Sequence, residues 1–294
     1  MKRKWIRWVS WILLTPIILF VILMVLLYVP PVQNLLRREV TAYASKATGM
    51  QIQVERIDLR FPLNLLVRGV EVIQQPDTLL SLESLNVRVQ AWPLIKGKVE
   101  VDEVTLSRVA VNSADLMEGM KIKGVLGRFF LQSHGVDLSN ELAVINQVEL
   151  SDTHVQLLMN DTTTTPKDTT ASAPINWKVA LHQLKLKNVS FSMQLPADSM
   201  RMAAHIGEAA IDDAQADLKN QYYDLKKFLL SGTSASYDTG TAQPAEGFDA
   251  SHIAVRDIRI ALDSLLYKGR DMNAVIREFT MNERSGLSVT ALTG

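Results

Sequence analysis

The sequence predicts a mainly β protein in which an N-terminal transmembrane helix and a short amphipathic helix precede an elongated, curled sheet. Three observations support this fold class. Residues 8–29 are apolar and carry no charge, residues 31–49 have helical spacing, and short alternating β-rich runs follow from residue 50. The predicted organisation is therefore a cytoplasmic tip and transmembrane helix over residues 1–30, an amphipathic helix over 31–49, and a β domain over 50–294.

The composition narrows the possible functions. The chain has 294 residues and is 47% hydrophobic, which is enough for a sizeable core. Its 31 basic and 31 acidic residues cancel, so no overall charge favours nucleic acid. Because there is no cysteine, disulfides, thiolate zinc sites and cysteine nucleophiles are excluded.

The apolar segment "WVSWILLTPIILFVILMVLLYV" is predicted to anchor the chain in a membrane. As a helix it would be about 33 Å long, which matches a hydrocarbon core of about 30 Å. It is too long for the apolar region of a cleaved signal peptide, about 7–15 residues, so we expect it to be retained. Residues with the side chains expected in the bilayer or at its interfaces are Trp8, Trp11, Leu13, Ile18, Phe20, Leu26 and Tyr28.

The charges around this segment predict its orientation. Lys2, Arg3, Lys4 and Arg7 precede it, which places the amino terminus in the cytoplasm and the bulk of the chain on the far side. The pair Arg37 and Arg38 weakens that bias without reversing the expectation.

The next segment, "PPVQNLLRREVTAYASKATG", predicts the amphipathic helix, because its prolines lie at the start and Gly49 lies just past the end. Beyond it, two stretches interrupt the strand pattern and are predicted to be flexible loops: residues 160–174, which are rich in threonine, and residues 231–251. A helical turn or two, with Leu116 and Met117 inward, is expected within residues 113–131.

The strands share an unusual spacing, in which an apolar residue is followed by one three positions later and another two positions after that. Leu181, Leu184 and Leu186 are an example. A hairpin turn does not explain it, because the intervening pairs, such as His182-Gln183, lack the Asn-Gly or Gly-x chemistry of two-residue hairpins. In a flat strand a step of three would move the apolar residue to the other face. A bulge at that step restores the same face and bends the strand, so the spacing predicts a corner.

A sheet bent in every strand can close into a barrel, pack as a sandwich or remain an open trough. Irregularly spaced repeats without covering helices favour an elongated arrangement, and the sandwich remains the alternative. An open apolar trough would exceed the apolar patches normal for soluble proteins. Beside a membrane its natural guest is a lipid acyl chain, since sheltering some 15 methylenes at about 0.8 kcal/mol each offsets about 12 kcal/mol. The predicted lining residues are Ile57, Leu59, Leu85, Val87, Val104, Leu106, Val148, Leu150, Leu184, Leu186, Ile258 and Ile260.

Motifs for chemistry are missing from the sequence. The five histidines are scattered, with no H-E-x-x-H spacing, and "GTSAS" lacks the closing glycine of a nucleophile elbow. The glycines of "GMKIKGVLG" match neither a phosphate-binding loop nor a dinucleotide fingerprint. We therefore expect no enzyme activity, no cofactor and no metal.

The chain resembles a known family. An amino-terminal anchor, then "ATGMQIQVERIDLRFPLNLLVRGVEV" and recurrent strands such as "KVEVDEVTLSRVAVN", is similar to the AsmA-like superfamily. The segments "GMKIKGVLGRFFLQSHGVDLSNE" and "PINWKVALHQLKLKN" resemble the amino-terminal part of TamB-type translocation and assembly proteins of the Bacteroides kind.

The resemblance implies a hydrophobic β-groove, or β-taco, in the bacterial periplasm. It would be anchored in the inner membrane by a single helix and would conduct phospholipids toward the outer membrane, with a link to outer-membrane protein assembly. An Omp85-type outer-membrane partner is implied through a C-terminal region that this chain lacks. The alternative function is a membrane-tethered scaffold for outer-membrane protein assembly, with a closed core and no lipid cargo.

Overall fold

The structure of the chain is a computed structural model that describes residues 30–60, 63–90, 93, 100–114, 116, 119–137, 141–160, 176–241 and 243–294. The predicted anchor, residues 8–29 with Trp8, Trp11, Leu13, Ile18, Phe20, Leu26 and Tyr28, lies outside these residues. All but the first residue of the predicted loop 160–174 lies outside them too. No helix within the described part of the chain is long and apolar enough to cross a membrane.

One long helix precedes the strands. Helix α1 spans Pro30–Thr48, so the predicted amphipathic helix is confirmed to within a residue at each end. Its proline start suits the first turn, where the missing N–H group has no intrahelical partner in any case. At its end Gly49 adopts φ +70° and donates its N–H to the Ser45 carbonyl oxygen at 2.9 Å, a conformation that costs glycine little.

The rest of the described chain is almost entirely β-strand, which confirms the mainly β class. The strands are β1 (Gln51–Arg60), β2 (Asn64–Gln74), β3 (Asp77–Val89), β4 (Val101–Asn112), β5 (Met120–Asp137), β6 (Leu142–Met159), β7 (Lys178–Leu195), β8 (Met200–Asp217), β9 (Tyr222–Asp238), β10 (His252–Lys268), β11 (Asp271–Glu283) and β12 (Ser288–Leu292). A single 3₁₀ turn, Pro196–Asp198, joins β7 to β8.

The strands form one sheet in sequential order from β1 to β12. Each neighbouring pair is antiparallel except β6 and β7, which run parallel. Because β1 and β12 are the two edges and do not pair with each other, the described strands do not close into a barrel. They form neither layer of a sandwich, since all twelve belong to the same sheet. The prediction of an open, curled sheet is confirmed.

Two lines of interrupted pairing cross the sheet and produce the curl. Along the first, which we call corner A, backbone pairing is interrupted in each strand from β1 to β10 while it continues on both sides. Corner A contains Glu55, Gly69, Glu83, Arg108, Gly127, Asp152, Asn188, Gly207, Gly232 and Asp257. Six of these residues, on β2, β4, β6, β7, β9 and β10, have φ between +47° and +59°.

The second line, corner B, runs through β4 to β10 on the other side of the strand centres. It contains Asp102, His134, Asn146, His182, Asp213, Lys226 and Asp263, which lack a paired partner in the ladder. At the step from Leu181 to Leu184, the intervening pair His182-Gln183 contains a residue of corner B, and at the step from Val54 to Ile57 the pair Glu55-Arg56 contains a residue of corner A. The interpretation of the three-residue step as a corner is therefore confirmed.

The mechanism of bending differs in part from the expected bulge. Extra residues shift the register between β3 and β4, β5 and β6, β9 and β10, and β10 and β11. Elsewhere the register is the same on both sides of the corner: Val54 pairs with Val70 and Arg56 pairs with Arg68. When two neighbouring strands bend at the same row, neither needs an additional residue to follow the other.

Side chains on the outer side of the corners bridge strands where backbone pairs are missing. In corner A, Glu83 forms an ion pair with Arg108, and Asn188 Nδ2 donates to Asp152 Oδ1 at 2.8 Å. In corner B, His182 Nδ1 lies 2.9 Å from Asp213 Oδ1. Asparagine and aspartate tolerate the left-handed conformation better than most residues, which explains their presence at bends that glycine does not occupy.

Two loop predictions need correction. Residues 231–238 are not part of a loop, because β9 continues through them to Asp238; their small alternating residues still pair with both neighbours, and the loop begins at Thr239. The helical turns expected near residues 113–131 are replaced by β5 from Met120, and Leu116 is exposed rather than inward. Met117 lies outside the described residues.

Gly127 provides a test of the corner geometry. A Cβ atom there would lie 2.7 Å from Asp152 Cβ and 3.1 Å from the Ser151 carbonyl oxygen, whereas a Cβ at Gly124 on the same strand would meet nothing closer than 3.4 Å. We predict that Gly127→Ala lowers the free energy of unfolding by about 1–3 kcal/mol through overpacking. Gly124→Ala should change it by less than about 1 kcal/mol. Urea unfolding of the full chain measures both, and equal effects would contradict the close approach at corner A.

Asp249 organises the remaining loop, residues 239–251. Its carboxylate accepts hydrogen bonds from the Ala245 N–H at 3.0 Å, the Ser251 N–H at 2.9 Å and His252 Nδ1 at 2.9 Å. These bonds, the one from Ala245 most of all, lower the pKa of Asp249 from 3.8 to about 2.

A pH dependence of this loop follows. Because the folded-state pKa is depressed, the stabilisation by Asp249 is complete above its ordinary pKa and is lost as the pH falls toward about 2. We predict that amide exchange of residues 245 and 251, corrected for intrinsic rates, accelerates as the pH falls from 4 to 2. Asp249→Ala should show the fast exchange already at neutral pH. Unchanged protection in that variant would refute the role of the carboxylate.

Candidate functional site on the inner face

The corners keep the apolar side chains of each strand on one face. In β7 this face, here called the inner face, carries Val179, Leu181, Leu184, Leu186, Val189, Phe191, Met193 and Leu195. The steps of three, from 181 to 184 and from 186 to 189, coincide with corners B and A. The two residues inside each step, His182-Gln183 and Lys187-Asn188, therefore lie on the outer face, because the outer side of a bend is the longer one.

Two rows of side chains cross the inner face between the corners, row 1 from β1 to β11 and row 2 from β1 to β12. Row 1 consists of Leu59, Leu65, Val87, Val104, Leu131, Val148, Leu184, Ile211, Phe228, Leu262 and Ile276. Row 2 consists of Ile57, Val67, Leu85, Leu106, Phe129, Leu150, Leu186, Ala209, Leu230, Ile260, Phe279 and Leu292. No polar residue interrupts either row.

The twelve residues predicted to line a groove all lie on this face. Eleven of them belong to rows 1 and 2, in matching positions on successive strands. Ile258 is the exception. It pairs with Thr233 across a register shift and therefore lies in the row next to row 2, whereas Ile260 lies in row 2 itself. That adjacent row also contains Val54, Val70, Leu82, Val109, Leu126, Thr153, Val189 and Ile206.

Rows 1 and 2 are not covered by another layer of the described chain. Apart from buried Ala209 and exposed Leu292, every side chain in them is half-buried. Extensive contacts join only neighbouring strands, α1 with β1, and the 3₁₀ turn with β8. No side chain among the described residues is less than 2% exposed, so the sheet has no conventional core.

The flanks beyond the corners extend the apolar surface toward the rims. Phe191, Met202 and Tyr223 on the inner face are 41%, 37% and 38% exposed, and Met272 is 67% exposed. A cavity of about 240 Å³ opens on one flank and is lined by Phe191, Met202, Ala203, Ala204, Ala235, Ser236, Tyr237, Ile253 and Val255. Exposed apolar side chains grouped on one face are typical of interaction surfaces, so this face is the candidate functional site.

A larger cavity, about 540 Å³, shares Phe191, Ala204, Ala235 and Val255 with the first one but also extends to polar residues of the opposite face, which makes it less suitable as the principal site. Its polar lining includes Ser190, His205, Ser234 and Arg256. Ser190 Oγ and His205 Nδ1 are 2.9 Å apart, but within the described chain no carboxylate hydrogen-bonds to His205 to orient it as a general base. The cavity covers only part of the sheet, whereas row 1 extends across eleven strands and row 2 across all twelve.

One charged side chain faces inward at the end of β11. Glu283 pairs with Val255 and is 6% exposed, and the hydroxyl and N–H of Ser285 donate hydrogen bonds to its carboxylate. These bonds lower the pKa of Glu283 below its ordinary value of 4.5. Its hydrogen bonds are to the turn between β11 and β12, so it lies at the margin of the inner face and does not interrupt rows 1 and 2. In the described residues no group of three or more potential metal ligands is clustered.

Several lining residues were missed by the sequence reasoning although their spacing was visible. Leu126, Phe129 and Leu131 of β5 follow the three-two step, but apolar Phe130 between them hides the alternation. Leu65, Val67 and Val70 of β2 carry the same step in reverse order. In β2 the step is reversed because this strand runs antiparallel to β1 through the same corner A. In β7 the reversed step Leu184, Leu186 and Val189 marks corner A, while the forward step from Leu181 to Leu184 marks corner B.

Comparisons with known proteins do not assign a family. No protein-family model matches the chain, and no curated protein matches it significantly. The open sheet and its continuous apolar face are thus the basis for a functional assignment.

Proposed function

We propose that the protein is a non-enzymatic, membrane-anchored groove that conducts phospholipids, with their acyl chains sheltered along rows 1 and 2. The observation that carries this proposal is the unbroken apolar inner face, which crosses all twelve strands and is uncovered by the described chain.

The dimensions of the sheet suit a chain-like ligand. Ten strand spacings of about 4.8 Å make row 1 about 48 Å long, and eleven make row 2 about 53 Å long, measured along the sheet. Because the rows run across the strands, a hydrocarbon tail lying along them meets apolar side chains at every strand. At about 0.8 kcal/mol per methylene removed from water, tails of ordinary length gain enough to offset leaving a bilayer.

The same rows favour movement over capture at one point. Leucine, isoleucine, valine and phenylalanine recur along them without a polar side chain to fix a headgroup. A tail therefore finds similar contacts at each strand and can shift along the face without crossing a large energy barrier. Selectivity for one lipid is not expected from rows 1 and 2.

We also propose a cellular setting for the groove. The uncharged residues 8–29 and the basic residues before them support an inner-membrane anchor with the bulk of the chain in the periplasm. The family resemblance supports the outer membrane as the destination, with an Omp85-type partner. The described residues favour the conducting groove over the alternative scaffold, because that scaffold requires a closed core.

Leu230 and Leu229 offer a matched pair for testing transport. They are adjacent on β9, but Leu230 lies in row 2 between Ala209 and Ile260, whereas Leu229 is 45% exposed on the outer face. We predict that Leu230→Asp slows transfer of a fluorescent phospholipid from donor vesicles carrying the full chain to acceptor vesicles by more than about tenfold. A carboxylate in the apolar path must be desolvated whenever a tail passes.

Leu229→Asp should leave the transfer rate near that of the unchanged protein. Leu184→Asp and Val104→Asp, at two further inward positions in row 1, should slow transfer as Leu230→Asp does. If the Leu230, Leu184 and Val104 variants all transfer lipid at the native rate while folded, the groove does not conduct lipid.

Phe129 and Phe130 allow direct detection of the ligand. Phe129 faces inward between Leu106 and Leu150, and Phe130 faces outward between Thr105 and Glu149. Replacing each in turn with a photoreactive phenylalanine analogue changes the side chain little. On illumination in cells we predict phospholipid adducts at position 129, identified by mass spectrometry, and far fewer at position 130. Equal labelling, or none at 129, would support a scaffold without lipid cargo.

A further inference from the structure

Helix α1 attaches to the sheet through polar side chains. Arg37 Nη1 donates to the Glu55 carbonyl oxygen at 2.8 Å, and Ser45 Oγ accepts the Ile52 N–H at 3.1 Å. Gln33 Nε2 makes a longer contact, 3.5 Å, with the Leu59 carbonyl oxygen. All three backbone groups belong to β1, the edge strand, so α1 covers an edge that would otherwise be open to pairing.

The apolar side of α1 points away from the sheet. Leu35, Val40 and Tyr43 are 59%, 48% and 77% exposed. An amphipathic helix on a soluble protein normally packs in the opposite sense, with its apolar side toward the core. This arrangement leaves an apolar helix face that the described chain does not cover.

The sequence before α1 identifies what covers it. The helix begins at Pro30, directly after the uncharged residues 8–29 that are proposed to span the membrane. A helix joined so closely to a membrane span cannot be far from the bilayer surface. Glu39, the one acidic residue of α1, is exposed on the same side, one turn from both Leu35 and Tyr43, and Lys46 is exposed one turn beyond Tyr43. These charges place that side of the helix at headgroup depth rather than among the acyl chains.

We propose that α1 lies in the membrane interface, with Leu35, Val40 and Tyr43 inserted at the boundary between headgroups and acyl chains. This inference rests on the proposed membrane anchor and adds an orientation to it. Because α1 is bonded along β1, the interface helix would hold the β1 end of the sheet at the bilayer. Rows 1 and 2 begin there, at Leu59 and Ile57, so acyl chains would enter the inner face from that end.

Because the chain has no cysteine, a single cysteine introduced into α1 can be labelled specifically. Val40→Cys and Tyr43→Cys place a spin label on the apolar side. Asn34→Cys is the matched control: it is exposed, and the nine residues that separate it from Tyr43 are two and a half turns, which puts it on the opposite side. The full chain would be reconstituted into vesicles of phosphatidylethanolamine and phosphatidylglycerol.

We expect labels at 40 and 43 to collide readily with oxygen, which concentrates in the bilayer, and poorly with an aqueous nickel chelate. The label at 34 should show the reverse preference. Labels at 40 and 43 that meet the chelate as often as the label at 34 would overturn the inference. Strong label-to-label coupling at position 43 would also overturn it, because a second copy of the chain would then cover the face.

The failure of this inference is distinguishable from the failure of the proposed function. Aqueous labels at 40 and 43, together with lipid adducts at position 129 and a chain that resists extraction from membranes, would leave the groove and the anchor in place. Loss of the chain from carbonate-washed membranes would instead remove the anchor, and with it the reason to place α1 at the interface.

Discussion

The structure depends on one constraint, which is that the apolar face of each strand must remain on the same side of the sheet through every bend. Alternation with period two cannot satisfy that constraint alone, because a bend that adds a residue reverses the faces. The step of three at each corner compensates, and it places two polar side chains on the outside of the bend. The inner rows, the lack of a conventional core and the open shape follow from repeating this solution in successive strands.

The corners are shared between strands rather than built in each strand separately. Glycine occupies corner A where a neighbouring backbone or Cβ approaches too closely for a side chain, as at Gly127 and Gly207. Aspartate, asparagine and arginine occupy other bends, and their side chains bridge strands on the outer side. A sheet curled in this way gains its stability from neighbouring strands, so local changes at a corner should affect nearby strands more than distant ones.

An open sheet also has two exposed edges, which invite association with other strands. The two edges are treated differently here. Helix α1 covers β1 with side-chain hydrogen bonds to its backbone, while β12 is a short strand of five residues. The helix serves the fold with its polar side, which leaves its apolar side free for the membrane proposed above. Covering of the edge and orientation at the bilayer would then be two consequences of one packing arrangement.

Much of this fold could be predicted from the sequence, and the reasons are local. The helix over Pro30–Thr48 is bounded by prolines and a glycine, and the three-two step in "LHQLKL" reports a corner through side-chain faces alone. The parallel pairing of β6 with β7 could not be predicted, since it depends on which strand edges meet after residues 161–175. The continuation of β9 through residues 231–238 was obscured because serine, glycine and alanine also occur in flexible loops.

The lining was predictable strand by strand, but its continuity was not. Leu184 and Leu186 reveal their face from their own spacing, whereas their alignment with Val148 and Leu150 depends on a register that no local pattern specifies. The same limit explains Ile258, whose spacing matches the other pairs while a register shift moves it into the adjacent row. Phe129 was missed because apolar Phe130 disguised the face on which each belongs.

The most direct measurement is an experimental density map of the full chain, purified in a mild detergent without added lipid. Elongated density running across the strands along rows 1 and 2, with the length of acyl chains, is the predicted result. Rows filled instead by side chains from another segment of the same protein would show that the inner face is an ordinary core, and would contradict the account.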